Sequence, residues 1–144
     1  MIQRIQSVYL LLAAVSLIAA MCLPLASLYT NGILSGSAYC LGCGQGVSVL
    51  SIISFIVFGL TAAITLINIF VFKNRKMQMK LCTFSIILTI LAAAVLGYAI
   101  YMVGSEVRPT IYASLPLISI VFNALASAAI RKDERLVRSA DRLR

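Results

Sequence analysis

Four long apolar runs, each without a charged residue, divide the chain. They cover residues 8–29, 47–72, 81–103 and 110–130, and each is at least 21 residues long. About 20 apolar residues, rising about 1.5 Å each along a helix, cross the hydrocarbon core of a bilayer. The runs lack the polar–apolar alternation of barrel strands, and backbone groups in hydrocarbon must be bonded within their own segment. The pattern predicts an all-α integral membrane protein in which residues 1–144 form one four-transmembrane-helix bundle.

Composition favours the same class of protein. Of the 144 residues, 62% are hydrophobic and 11% are charged, against about 45–50% and about 25% in soluble domains. The first run exceeds the roughly 7–15 apolar residues of a signal peptide, and Pro24 interrupts it late. We therefore expect an uncleaved first span.

Basic residues predict the orientation of the spans. Arg108 lies in the second outer loop, and the other eleven of the 12 lysines and arginines flank the opposite ends of the spans. The positive-inside rule then predicts a multi-pass protein of the inner (cytoplasmic) membrane with cytoplasmic N- and C-termini. The residues expected to contact the membrane surface or a partner are Lys73, Arg75, Lys76, Lys80, Arg131, Lys132, Arg135, Arg138 and Arg142. The chain has a net charge of +8, which in a soluble protein would suggest a nucleic-acid partner. Here the basic residues are explained by the orientation of the spans, and no aromatic side chains accompany them on which bases could stack. We therefore predict no nucleic-acid partner.

Polar residues within the runs recur at helical spacing. One stripe holds Ser54, Thr61, Thr65 and Asn68, and a second holds Ser119, Asn123 and Ser127. We expect Asn68 and Asn123 to be helix-packing polar residues that bond each other across a helix interface. A ligand site is the alternative. The runs contain no ionisable acid or base, which argues against ion pumping and proton relay.

The C-terminal segment, RKDERLVRSADRLR, has the spacing of an amphipathic helix. Leu136, Ala140 and Leu143 recur at i, i+4 and i+7. We expect this helix to continue the fourth span and to lie on the anionic inner leaflet, or alternatively to dock a cytoplasmic partner. Pro116, inside the fourth run, is expected to kink that span or to loosen one of its backbone hydrogen bonds.

Three segments carry a resemblance to a known family: MIQRIQSVYLLLA, FKNRKMQMKLC and IRKDERLVRSADRLR. Together they resemble an uncharacterised family of four-span inner-membrane proteins from Bacteroidetes-type bacteria, known as a domain of unknown function. The resemblance spans essentially the whole chain. It implies a single four-helix membrane domain, and it implies no activity, cofactor or catalytic residue.

The segment CLGCGQG, residues 40–46, is the candidate for a chemical function. Outside the cytoplasm Cys40 and Cys43 can be oxidised, and a C-x-x-C can lower the pKa of one thiol. Structural zinc needs four ligands, whereas this loop offers two cysteines and the chain has no histidine. We therefore predict no metal, and we favour a structural disulfide or unpaired thiols over a redox role.

The same segment resembles the loop of DsbB-type proteins, which form disulfides and reduce quinone. The resemblance rests on four spans, inner termini and a C-x-x-C in the first outer loop, and it implies Cys40 and Cys43 as a redox pair with quinone as cofactor. Two departures weaken it. The second outer loop, GSEVRP, has no cysteine pair, and Gly46, Val47 and Ser48 stand where such proteins have an arginine near quinone.

Taken together, these patterns predict a structural or accessory membrane subunit without catalytic residues or cofactor. Its partners would be the lipid bilayer and either another membrane protein or further copies of the chain. The alternative is a DsbB-like thiol–disulfide oxidoreductase that uses Cys40 and Cys43.

Overall fold

Helices dominate the computed structural model, which describes residues 3–40, 42–43, 49–71, 74–102 and 106–141. Within these residues the helices are α1 (Gln3–Cys22), α2 (Val49–Phe70), α3 (Arg75–Tyr101) and α4 (Leu115–Asp141). A 3-10 turn, Ile111–Ser114, leads into α4. Each helix is long and apolar enough to cross a membrane. The prediction of four apolar helices of membrane-spanning length is therefore confirmed, although the bounds of the helices differ from those of the apolar runs.

The helices pack side by side as a square bundle. Helix α1 contacts α2 and α4, and α3 contacts the same two helices. Helices α1 and α3 therefore occupy opposite corners, as do α2 and α4. Helix α3 starts directly after the short link from α2, where Asn74 is the N-cap and its side-chain oxygen accepts a hydrogen bond from the backbone N–H of Met77 at 3.3 Å. This bond satisfies one of the N–H groups that a helix start leaves unpaired.

Apolar side chains cover the outside of the bundle, and many polar side chains lie inside it. Val15, Ile56, Ile87 and Val121, one on each helix, are all more than half exposed (52–58%). The buried polar residues include Ser54, Thr61, Thr65, Asn68, Thr89, Ser119 and Asn123, each with no exposed surface. Lipid tails solvate apolar side chains as well as a protein interior does, whereas hydroxyls and amides gain hydrogen bonds between or within helices. The distribution is that expected of a protein whose solvent is hydrocarbon.

A small β-sheet closes one end of the bundle and corrects the all-α prediction. The described strands are β1 (Ala26–Thr30), β2 (Ile33–Tyr39), β3 (Gly42–Cys43) and β4 (Glu106–Pro109), in the antiparallel order β3-β2-β1-β4. Strand β1 pairs with β2 of its own loop, with Thr30 opposite Ile33, and with β4 of the other outer loop, with Ala26 opposite Pro109. The guanidinium of Arg108 lies 4.7 Å from the ring centre of Tyr29, which adds a cation–π contact between β4 and β1. The two outer loops therefore form one folded unit, here called the cap.

The turn between β1 and β2 explains why the first loop folds back as a hairpin. Asn31 and Gly32 both have positive φ angles, 54° and 76°. A two-residue hairpin turn with positive φ at both positions matches the twist of the flanking strands, and Asn-Gly is its preferred sequence. The apolar run that predicts a first span to residue 29 therefore divides, because α1 ends at Cys22, just before Pro24, and residues 26–30 are strand.

The cap and the bundle share one hydrophobic core. Leu25, Leu28, Ala38 and Cys40 of the cap are buried, and they belong to the same cluster as Phe58. The other helical members of this cluster are Leu17, Ala20, Ala62, Ala92, Leu96 and Ile100. Burial of these side chains makes the cap part of the domain rather than a loose pair of loops.

Helix α4 runs from the cap past the opposite end of the bundle. Pro116 is the second residue of α4 and lies just after the 3-10 turn, where the backbone N–H of Leu115 donates to the carbonyl of Tyr112. The expected effect of Pro116 on the span stays a prediction. The tail continues the span without a break to Asp141, as predicted. Because an uninterrupted helix bends only gently, the tail follows the axis of α4. The expectation that the tail lies on the inner leaflet stays a prediction.

Candidate functional site

The hydroxyl stripe of α2 faces the bundle interior and is bonded within its own helix. The Oγ of Ser54 donates to the carbonyl of Leu50 at 2.9 Å, and the Oγ1 of Thr61 donates to Val57 at 2.7 Å. Thr65 donates to the carbonyl of Thr61 at 2.6 Å. Bonds from a hydroxyl to the carbonyl one turn earlier satisfy the donor without a second helix. The stripe predicted from the sequence is real, and its donors are used locally.

Asn68 joins α2 to α3. Its Nδ2 donates to the carbonyl of Gln78 at 3.2 Å and to the sulfur of Cys82 at 3.2 Å, while the Nε2 of Gln78 donates back to the carbonyl of Asn68 at 3.3 Å. Asn68 is completely buried, and Gln78 is 4% exposed. The residues form a reciprocal clasp at the turn between the two helices. Gln78, which the sequence analysis does not single out, is the partner of Asn68.

Asn123 bonds within its own helix, where its Nδ2 donates to the carbonyl of Ser119 at 3.1 Å. The Oδ1 atoms of Asn68 and Asn123 are both buried without a hydrogen-bond partner among the described residues. The two side chains therefore do not bond each other as expected. The reason is geometric, because α2 and α4 lie at opposite corners of the bundle and the amide of Asn68 is engaged by α3.

A buried polar contact also joins α1 to α4 near the end opposite the cap. The Nε2 of Gln6 donates to a carboxylate oxygen of Asp133, and both side chains are 6% exposed. Asp133 is the third residue after the fourth apolar run, so the sequence places it in a solvated basic tail. The structure instead turns it toward α1. Its spacing of three from the buried Ile130 is the signal that could have indicated this inward position.

Cys40 lies in the shared core under the cap as a completely buried free thiol. Burial raises the pKa of this thiol from its ordinary value of 9.0 to about 12, because an apolar surrounding disfavours the charged thiolate. A thiol becomes a good nucleophile as its thiolate, so this environment suppresses reactivity. The arrangement is the opposite of the one that activates a redox cysteine.

Some of the predicted site residues are not covered. Lys73 and Arg142 lie outside the described residues, as do the side chains of Cys43 and Arg138. The backbone of Cys43 is in β3, where it pairs with Ala38. Cys40 is a free cysteine, and the predicted pairing of its thiol with that of Cys43 lies outside the described residues.

Basic side chains gather around a groove between α3 and α4 at the end opposite the cap. The groove encloses about 580 Å³ and is lined by Thr83, Ile86, Ala124, Ser127, Ala128, Arg131, Lys132 and Arg135. A more open depression of about 570 Å³ shares Thr83 and Arg131 and adds Lys76 and Lys80. We call the two together the basic groove. Five of the residues predicted to contact a surface or a partner are thus neighbours in space, while Arg75, at the start of α3, is outside the lining.

The charges of the basic groove are predictable from the sequence, but their grouping is not. Ala124, Ala128, Arg131 and Arg135 recur every three or four residues and so share one face of α4. That this face lies beside Lys80 of α3 depends on the order of the helices in the bundle, which no local pattern contains. The groove is basic at one end, and the rest of its lining is apolar apart from Thr83 and Ser127. It is the strongest candidate for a binding site in the described residues.

Comparisons with known proteins place the chain in one family. No curated protein and no solved structure matches the chain. The family model described as "Domain of unknown function (DUF4293)" matches residues 2–143. The match covers nearly the whole chain and agrees with the resemblance carried by its opening, middle and closing segments. The protein therefore belongs to the DUF4293 family of proteins with a domain of unknown function.

Proposed function

We propose that the protein is an integral subunit of the bacterial inner membrane, with both termini in the cytoplasm and the cap outside. One observation supports the membrane location and a second supports the orientation. The bundle exposes apolar side chains and buries polar ones, as a lipid-solvated protein does. Eleven of the 12 basic residues belong to the end opposite the cap, and cytoplasmic loops carry such an excess.

Within the membrane, the protein acts as a structural or accessory subunit that binds a membrane-protein partner. The observation that carries this role is the length of α4, which continues for eight residues beyond Asp133, its last buried residue among those described, to Asp141. Eight helical residues extend about 12 Å. Leu136 on this extension is 49% exposed, and Ala140 follows on the same face at a spacing of four. An apolar stripe on a projecting helix is a surface that a second helix can cover.

Site-specific photocrosslinking in intact cells tests the accessory role. A photoreactive amino acid at Leu136 should yield one discrete crosslinked membrane protein, whereas the same probe at Ile33, which is 73% exposed on the cap, serves as the control. Capture at both positions would indicate random collisions. The absence of any discrete product at Leu136 and at other α4 positions, with the protein present at normal abundance, would contradict the role.

The redox alternative has less support. It requires a reactive thiolate in the first outer loop, and the buried Cys40, with its raised pKa, argues against that residue as the nucleophile. The alternative predicts that Cys43→Ser traps a mixed disulfide with an extracytoplasmic thiol protein. The accessory role predicts that no such species accumulates.

A further inference from the structure

The basic groove has the two-part chemistry of a phospholipid site. One end carries Arg131, Lys132 and Arg135, and the walls toward the cap are formed by Ile86, Ala124 and Ala128. Cations at one end and small or aliphatic side chains along the length complement a charged headgroup and an acyl chain. Basic pockets between helices on the cytoplasmic side of a membrane protein are known to suit anionic headgroups.

The charge of the groove favours an anionic occupant. Of the described residues that line it, three are basic and none is acidic, and Lys80 in the adjoining depression adds to the same potential. Asp133 and Glu134 lie between these cations along the chain; Asp133 is turned toward Gln6 of α1, and Glu134 is not part of the groove lining. A phosphate diester offers oxygens that an arginine can bind with paired hydrogen bonds. Zwitterionic lipids carry the same diester, but their ammonium group is repelled by the cations of the groove, so a headgroup of net negative charge matches the groove better.

The position of the groove along the helices fits a headgroup at the membrane boundary. Arg131 directly follows the fourth apolar run, while Ala128 and Ala124 lie about one and two turns before Arg131, inside that run. A lipid with its phosphate near Arg131 would therefore place its chains beside the alanines. The small side chains of Ala124 and Ala128, both exposed, leave room for a chain against the surface of α4.

We propose that the basic groove binds an anionic phospholipid of the inner leaflet, with its phosphate held by Arg131 and Arg135 and one acyl chain lying along Ile86 and Ala124. The proposal rests on the membrane location proposed above, but not on the accessory role. A second helix is a poorer occupant, because it would cover the cations without supplying the negative charge that they match.

Lipid titration of the purified full-length protein tests this inference. The probes are phosphatidylglycerol and phosphatidylcholine added to neutral detergent micelles, with bound lipid counted by native mass spectrometry. We expect phosphatidylglycerol to bind in preference, and Arg131→Gln to weaken it about five-fold, the loss expected for one basic contact worth about 1 kcal/mol. Arg75→Gln is the matched control, since it removes one charge from the same end of the bundle but outside the groove, and it should change binding less than two-fold.

A steric variant separates the groove from general charge attraction. Ala128→Phe fills the apolar wall without changing net charge, and it should lower phosphatidylglycerol binding at least as much as Arg131→Gln does. Unchanged unfolding midpoints in a detergent titration show that the variants are folded. Equal losses in Arg131→Gln and Arg75→Gln, no effect of Ala128→Phe, or equal affinity for the two lipids would each overturn the proposal. Carbonate extraction of membranes tests the membrane location separately, so a stably inserted protein without lipid preference refutes the lipid site alone.

Discussion

The thiol of Cys40 gives the sharpest quantitative prediction, because its reactivity separates a structural cap from a redox loop. Its pKa of about 12 lies three units above the ordinary 9.0. Each unit is a factor of ten in thiolate fraction, so at any pH below 9 the folded protein holds about a thousandfold less thiolate at Cys40 than an exposed cysteine does. Complete burial adds a barrier to access. Alkylation of Cys40 should therefore be at least about a thousandfold slower than that of an exposed thiol.

The assay uses a variant in which Cys40 is the remaining cysteine and a matched control, a cysteine-free chain carrying Thr30→Cys at the exposed end of β1. Iodoacetamide alkylation is followed by mass spectrometry between pH 7 and pH 11. Both rates should rise with pH, but the control should level off near pH 9 while Cys40 continues to rise. In detergent that unfolds the chain, the two rates should become equal. Alkylation of folded Cys40 within ten-fold of the control at pH 8 or below would refute the buried thiol and restore the redox hypothesis.

Three further predictions concern stability, measured as the free energy of unfolding in mixed detergent micelles. Asn68→Ala should cost about 1 kcal/mol more than Asn123→Ala. The two truncations are identical, but only Asn68→Ala removes hydrogen bonds to a neighbouring helix. An equal or larger loss of stability in Asn123→Ala would contradict the clasp. Gly32→Val should cost about 1–2 kcal/mol, because φ is 76° at that position. The control Gly97→Ala should be neutral or stabilising, since the added Cβ would meet no atom within 4 Å. Equal losses in the two variants would be inconsistent with the hairpin turn. Phe58→Ala should cost about 3–5 kcal/mol, since it empties the core shared by cap and bundle, and a loss below 1 kcal/mol would show that the cap is not packed on the helices.

The helices are predictable because their signal is local and long. A run of more than 20 residues without charge admits few structures in a bilayer, and the polar stripe from Ser54 to Asn68 marks its buried face directly. The continuity of α4 into the tail follows for the same reason, since Leu136 and Ala140 keep the helical spacing that begins within the span.

The cap could be predicted only in part. The Asn31-Gly32 pair is a strong hairpin signal. The residues just before this pair are apolar, so they read as the end of the first span rather than as a strand of a hairpin. Strand β4 depends on pairing with β1, about 80 residues earlier in the chain, and its four residues carry no strong strand pattern of their own. The exposed Glu106 and Arg108 indicate a loop when read locally, and their pairing emerges only once the bundle brings the two outer loops together.

The polar contacts between helices depend on the bundle geometry. Asn68 and Asn123 look alike in the sequence, since each is an amide residue within an apolar run. In the structure Asn68 lies next to Gln78 of α3, whereas Asn123 bonds to a carbonyl of its own helix. Likewise, the cations of α3 and α4 become one groove because those helices are neighbours in the square arrangement. Such groupings need the order of the helices, which is a property of the whole chain.

Topology in the living cell tests the orientation on which the proposed function and the lipid site both depend. Alkaline phosphatase, which is active outside the cytoplasm, and green fluorescent protein, which fluoresces inside it, are each inserted after Gly32 in the hairpin turn or fused after Arg144. We expect phosphatase activity at Gly32 and fluorescence at Arg144. Fluorescence at both positions, or phosphatase activity at Arg144, would contradict a bundle that crosses the inner membrane with its basic end in the cytoplasm.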